Sequence, residues 1–186
     1  MREGMAELNE TEQAEWDARQ TQRVLDFLKS ADIAFESLAH PPVHTVDEAE
    51  PYLRALKGAQ IKNFFLKDAK GKLFVVTCPA RRAVDMKSLA VALGSKKLSF
   101  GKPDLMMECL NTLPGALGPF SLLADAEHKV TFAIDEDLWR EDFIICHTMC
   151  GTCSVSLAVA DLKKALERLG VTPLVFSLDQ EQAPQA

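Results

Sequence analysis

The amino-acid sequence predicts a mixed α/β fold, in which a mixed or antiparallel sheet has helices packed around it. Two observations carry this. Segments with helical spacing of apolar residues intermix along the chain with short alternating or apolar runs, and the central stretch QIKNFFLKDAKGKLFVVTC reads as a hairpin. A third sets the scale: 186 residues, 47% hydrophobic and 26% charged, suit one soluble globular domain with a substantial core.

Taken in order, the segment from Thr11 to Ser30 spaces Trp16, Val24, Leu25, Phe27 and Leu28 as a helix does. Ala14 rather than an acid stands three residues after Thr11, so no capping box is expected and the helix should begin frayed. Ile33 to Leu38 roughly alternates and reads as a strand, stopped by Pro41 and Pro42, which have no amide to give a ladder. After Thr45, the acids Asp47, Glu48 and Glu50 suit the positive end of a helix that runs to about Leu56, with Pro51 a point of kinking or restart.

In the hairpin, Asp68-Ala69-Lys70-Gly71 separates two apolar runs, and Gly71 supplies the positive φ that the turn requires. Val84 to Leu93 returns to helical spacing, with Asp85 in the first turn and Gly94 at the stop. Pro103 to Leu110 is a further short helix with proline where its missing amide costs nothing. Lys129 to Ile134, Phe143 to Cys146 and Cys153 to Leu157 read as strands, Asp161 to Leu169 as a helix ended by Gly170, and Val171 to Leu178 as an edge strand because of Pro173. The organisation expected is a partly helical N-terminal extension over 1–20, one domain over 21–178, and a disordered tail or linker over 179–186.

No apolar run reaches the roughly 20 residues that span a bilayer, and the first ten residues lack the apolar core of a signal peptide. No membrane partner is expected, and the expected compartment is the cytoplasm. The five cysteines are an odd set, best read there as free thiols. A net charge of −6 argues against holding nucleic acid by a broad basic surface, so any RNA contact must be local.

There is no P-loop, no GxGxxG after a strand and no GxSxG elbow, which removes the commonest enzyme classes. Three segments remain. Lys62 interrupts the start of an apolar strand and precedes Asn63; it is either a point charge for a phosphate or carboxylate, or an ordinary solvent-facing lysine. Leu113 to Phe120 holds two glycines and two prolines, a stiff loop whose amides can face a ligand and stabilise an oxyanion, or a plain connection. Cys146 to Cys153 lies between two strands and admits three readings. His147, Cys150 and Cys153 fall one short of a structural zinc set; Cys150 and Cys153 have CxxC spacing without the helix that a thioredoxin-like pair opens; and His147 can orient a water or a ribose beside a pocket.

From about Arg23 to Leu178 these segments together resemble the YbaK/ProX family of aminoacyl-tRNA editing domains, in particular its alanyl-tRNA-Pro deacylase branch. The resemblance rests on His40-Pro41-Pro42-Val43-His44-Thr45-Val46-Asp47-Glu48-Ala49, on Lys62 to Asp68, on Leu98-Ser99-Phe100-Gly101, and on Gly115 and Pro119 as a GxxxP loop. It implies hydrolysis of the ester that joins an amino acid to the 3′-terminal adenosine, without cofactor or metal, most specifically of alanine on tRNA-Pro. By the same resemblance Lys62 holds the terminal phosphate or ribose, Gly115 and the loop through Ala116, Leu117, Gly118 and Pro119 seat the aminoacyl carbonyl, and His147 acts at the reacting centre. His44, Asn63, Thr148 and Gly151 are the further substrate-binding candidates. His147 looks like the histidine of the family's His-Pro motif, followed here by Thr148, with Gly151 where an asparagine is usual. The implied partners are the acceptor end of tRNA and, for further grip, prolyl-tRNA synthetase or an elongation factor. The alternatives are a deacylase for serine or cysteine, a catalytically weak tRNA-binding module appended to a synthetase, and a zinc-binding regulator.

Overall fold

A computed structural model describes residues 9–43 and 45–178. The first helix, α1 (Glu10–Ser30), does have a capping box, set two residues earlier than Thr11. The Asn9 side chain accepts from the Glu12 amide at 3.0 Å and the Glu12 carboxylate accepts from the Asn9 amide at 2.9 Å. The first turn is therefore tied down rather than frayed. α1 runs unbroken across the division expected at residue 20, and the extension before Asn9 and the tail over 179–186 lie outside the described residues.

The remaining elements are β1 (Phe35–Ala39), α2 (Val46–Leu53), β2 (Ala59–Asp68), β3 (Leu73–Pro79), α3 (Met86–Ala92), β4 (Leu98–Phe100), α4 (Pro103–Leu110), a 3₁₀ helix (Pro119–Ala124), β5 (Val130–Asp135), α5 (Glu136–Trp139), β6 (Phe143–His147), β7 (Cys153–Ala158), α6 (Val159–Arg168) and β8 (Leu174–Phe176). The hairpin of β2 and β3 turns at Gly71, with φ +90° as the turn requires. α2 is capped by Thr45 and continues through Pro51 to Leu53. The proline removes one helical hydrogen bond, while Ala49 and Leu53 stay buried on the inner face.

The strands form one mixed sheet in the order β1-β7-β6-β2-β3-β5-β8, so β8 lies at an edge as Pro173 predicts. β6 with β2, β3 with β5, and β5 with β8 are parallel; the other pairs are antiparallel. On one face α1, α4 and α6 bury Val24, Leu28, Met106, Leu110, Leu162 and Leu166 against Phe65, Val75, Phe132 and Val155. On the other, α3 covers Leu66, Phe74 and Val76, while α2 packs Ala49 and Leu53 with Ile145 of β6. Strand alternation puts His147 on the same face as Ile145, and register puts Ser154 directly across from it.

One edge of β2 is shared. Ala59 and Gln60 pair with β6, and Leu66 to Asp68 pair with β4. Among the described residues no strand is registered on that edge between Ile61 and Phe65, and this gap positions the site.

Candidate active site

A cavity of about 220 Å³ opens at the gap. Its lining comes from both faces of the sheet: Val46, Ala49 and Leu53 of α2 on one side, Gly115 and Leu117 on the other, with Gln60, Ile61, Lys62 and Asn63 as the floor and His147 at the end of β6. Five of the residues singled out in the sequence, Lys62, Asn63, Gly115, Leu117 and His147, thus come together around one space.

The Lys62 ammonium donates to the Arg82 carbonyl and stands 5.9 Å from the Phe64 ring centroid. Arg82 is itself held, with its guanidinium 3.0 Å from the buried Asp135 carboxylate and paired also with Asp137. Burial pushes the Asp135 carboxyl above its ordinary range despite that arginine, and it pushes the nearby Cys78 thiol up to about 12. Lys62 is thereby anchored from behind at the cavity floor.

Asn63 tethers the loop. Its carbonyl oxygen accepts from the Thr77 hydroxyl at 2.7 Å, which fixes the amide's orientation, and its nitrogen donates to the Leu117 carbonyl at 2.8 Å. Gly115 has φ +90°, the left-handed region where a side chain is strained. The Ala116 amide bonds the Leu113 carbonyl and the Gly118 amide the Ser121 hydroxyl. That leaves Gly115 and Leu117, among the described residues, as the cavity-lining loop positions whose amides have no internal partner.

His147 lies partly buried beneath α2. Burial, with the neighbouring His40 ring adding to it, lowers its pKa to about 4, so the imidazole is neutral near pH 7. Its Nδ1 is 3.2 Å from the Ser154 hydroxyl.

The other candidates sit elsewhere. Ala116 and Pro119 are buried within the loop, off the cavity lining, and Gly118 approaches the His147 backbone and the Asn63 amide without lining the cavity. Thr148 is fully buried and turned into the protein, where it bonds the Cys153 carbonyl at 3.1 Å and the Thr21 hydroxyl of α1 at 3.0 Å. Gly151 is in the turn beyond, away from the lining, and His44 lies outside the described residues. Cys150 is ringed by the hydroxyls of Thr21, Thr148 and Thr152, so this segment serves to anchor α1. No group of three His, Cys, Asp or Glu side chains that could hold a metal occurs among the described residues.

Reasoning from the sequence missed the α2 wall, Thr77, and the buried pair His40 and Ser154. The wall had a signal, since Val46, Ala49 and Leu53 recur at helical spacing on one face. His40 opens the motif that runs to Ala49 but carried no role there, while Thr77 and Ser154 had no signal because they depend on strand register.

The model of the aminoacyl-tRNA editing domain family matches residues 40–165, the stretch that holds every cavity-lining residue. The chain belongs to this family. Relatives of this editing domain include a zebrafish (Danio rerio) protein named prolyl-tRNA synthetase associated domain-containing protein 1, 33% identical over 83% of this chain and 85% of the relative. The prolyl-tRNA editing protein ProX of Acetoanaerobium sticklandii is 31% identical over 84% of this chain and 94% of its own. Among solved structures, one titled as a putative trans-editing enzyme for prolyl tRNA synthetase superposes with TM-score 0.65 at 16% identity, covering 83% of this chain and 94% of that one. That likeness fixes the mixed α/β editing-domain fold.

Proposed function

We propose that this editing domain is a hydrolase that deacylates mischarged tRNA, with alanine on tRNA-Pro as its substrate. The observation that carries the reading is the small cavity at the sheet gap, bounded by an anchored lysine, a neutral histidine and a glycine-shaped loop. Lys62 binds the terminal phosphate or ribose as a point charge. Asn63 holds the loop in place, and the Gly115 and Leu117 amides face the aminoacyl carbonyl, whose oxygen gains negative charge as water adds. His147, uncharged, accepts a hydrogen bond from that water and orients it. The ester bond then breaks, the adenosine hydroxyl leaves with a proton, and the free amino acid departs.

Alanine is chosen over proline by size. A single methylene discriminates by only about 1–3 kcal/mol, so the apolar α2 wall acts by excluding the larger side chain. The names of the ProX and synthetase-associated relatives support proline as the tRNA identity. With a net charge of −6 the domain grips chiefly the acceptor end, and prolyl-tRNA synthetase or an elongation factor supplies further contact.

The test is deacylation of Ala-tRNA-Pro by the purified protein, with Pro-tRNA-Pro, Ser-tRNA and Cys-tRNA alongside. Selective release of alanine, abolished in a folded Lys62→Ala variant, is the expected result. Release of serine or cysteine instead reassigns the substrate, and inertness toward all four replaces the enzyme with a tRNA-binding module.

A further inference from the structure

Behind the cavity, three side chains stand in line. His40 is buried, with its Nδ1 2.9 Å from the Pro41 carbonyl oxygen and its Nε2 2.9 Å from the Ser154 hydroxyl; the same hydroxyl lies 3.2 Å from His147 Nδ1. Ser154 is fully buried, and neither it nor His40 lines the cavity. The two rings are 6.0 Å apart, and Tyr52 of α2 stacks on His40 at 6.2 Å.

With the His40 ring neutral, the direction of every proton in this line follows from its far end. A carbonyl oxygen can only accept, so His40 carries its proton on Nδ1. In a neutral imidazole Nε2 is then an acceptor, and it takes the one hydroxyl proton of Ser154. Ser154 has no second proton to give, so toward His147 it accepts, and His147 must hold its proton on Nδ1. Its Nε2 is then the nitrogen that keeps a lone pair.

We propose that His40 and Ser154 are positioning residues that lock His147 in the Nδ1-protonated tautomer, so that Nε2 serves as the acceptor for the attacking water. This rests on the reading of His147 given above, but the tautomer itself is measurable without any tRNA. The backbone carbonyl of Pro41 sets it from about two side chains away. An ordinary exposed histidine has no such constraint and samples both tautomers.

The experiment uses the full chain labelled with 15N-histidine and free of tRNA, in which long-range proton–nitrogen correlations show which ring nitrogen carries the proton. In the unmodified protein both His40 and His147 are expected as Nδ1–H. Ser154→Ala should release His147 into a mixture of tautomers and lower kcat for the mischarged tRNA by about tenfold or more with KM unchanged. Ser154→Thr, which keeps the hydroxyl, should restore both. His147 found with its proton on Nε2 in the unmodified protein, or an unchanged tautomer in Ser154→Ala, overturns the proposal. Should Ser154→Ala fail to fold, the tautomer of the unmodified protein decides alone. The expected tautomer in a protein inert toward every aminoacyl-tRNA supports the hydrogen-bonded chain and removes the proposed activity instead.

Discussion

Because burial lowers the His147 pKa from 6.5 to about 4, the folded and unfolded chains take up protons at different pH, and stability must depend on pH in that window. Above pH 6.5 both states hold the ring neutral and the full stability is present. As pH falls toward 4 the unfolded chain protonates first, so stability is lost through that range. At about 1.4 kcal/mol per unit the loss is at most about 3 kcal/mol, and solvent reaching this partly buried ring reduces it. Urea unfolding at pH 7, 5.5 and 4.5 should show the decline, and His147→Gln should flatten it. Asn63→Ala leaves the Thr77 hydroxyl and the Leu117 carbonyl without their partner; an expected cost of about 1–3 kcal/mol is read from the shift in urea midpoint. At this scale the sequence was legible where a residue's type was odd for its place, as with Lys62 in an apolar strand or Gly115 in a stiff loop. It was misleading where adjacency stood in for direction: Thr148 follows His147 in the chain, yet alternation turns its side chain away from the cavity and toward α1.

The elements divide by how local their causes are. The hairpin, α4, β5, β6 and β7 follow from turn residues and periodicity, and they stand within a residue or two of where those signals put them, whereas β8 is only Leu174–Phe176 of the expected Val171 to Leu178. The start of α1 does not, because the box uses Asn9 and Glu12 rather than the threonine that follows. Replacing Asn9 by alanine should lower stability by about 1 kcal/mol, measured as a fall in thermal midpoint, whereas Thr11→Ala should leave it nearly unchanged. The 3₁₀ helix, the four-residue α5 and the three-residue β4 are too short to leave a periodic trace, and each is fixed by what it meets: β4 by pairing with Leu66 to Asp68, α5 by its Asp135 cap. α2 shows the opposite balance, with a proline that local rules read as a break and an inner face whose burial carries the helix through it.

For the molecule as a whole, strand existence is local and strand order is not. Nothing in the sequence places β6 beside the start of β2, since the contact is two residues long and joins segments more than eighty positions apart. The resulting order makes a prediction for native-state hydrogen exchange. β3, paired on both sides and buried along nearly its whole length, should protect its amides longest, while the edge strands β1 and β8 and the short β4 exchange early. The shared edge of β2 has a further consequence for how such a site can diversify. Its floor is a strand edge left open by two departing neighbours, and the opening itself cannot be closed without re-pairing the sheet. Its wall is one face of a short helix, made by Val46, Ala49 and Leu53, and there a side chain can be exchanged without touching the sheet. Trimming Val46 to alanine should therefore widen what the cavity admits, raising hydrolysis of a larger aminoacyl group relative to alanine in parallel deacylation assays, while the rung beneath stays as it is. A lineage carrying this domain has one fixed surface to catalyse on and one interchangeable surface to choose with.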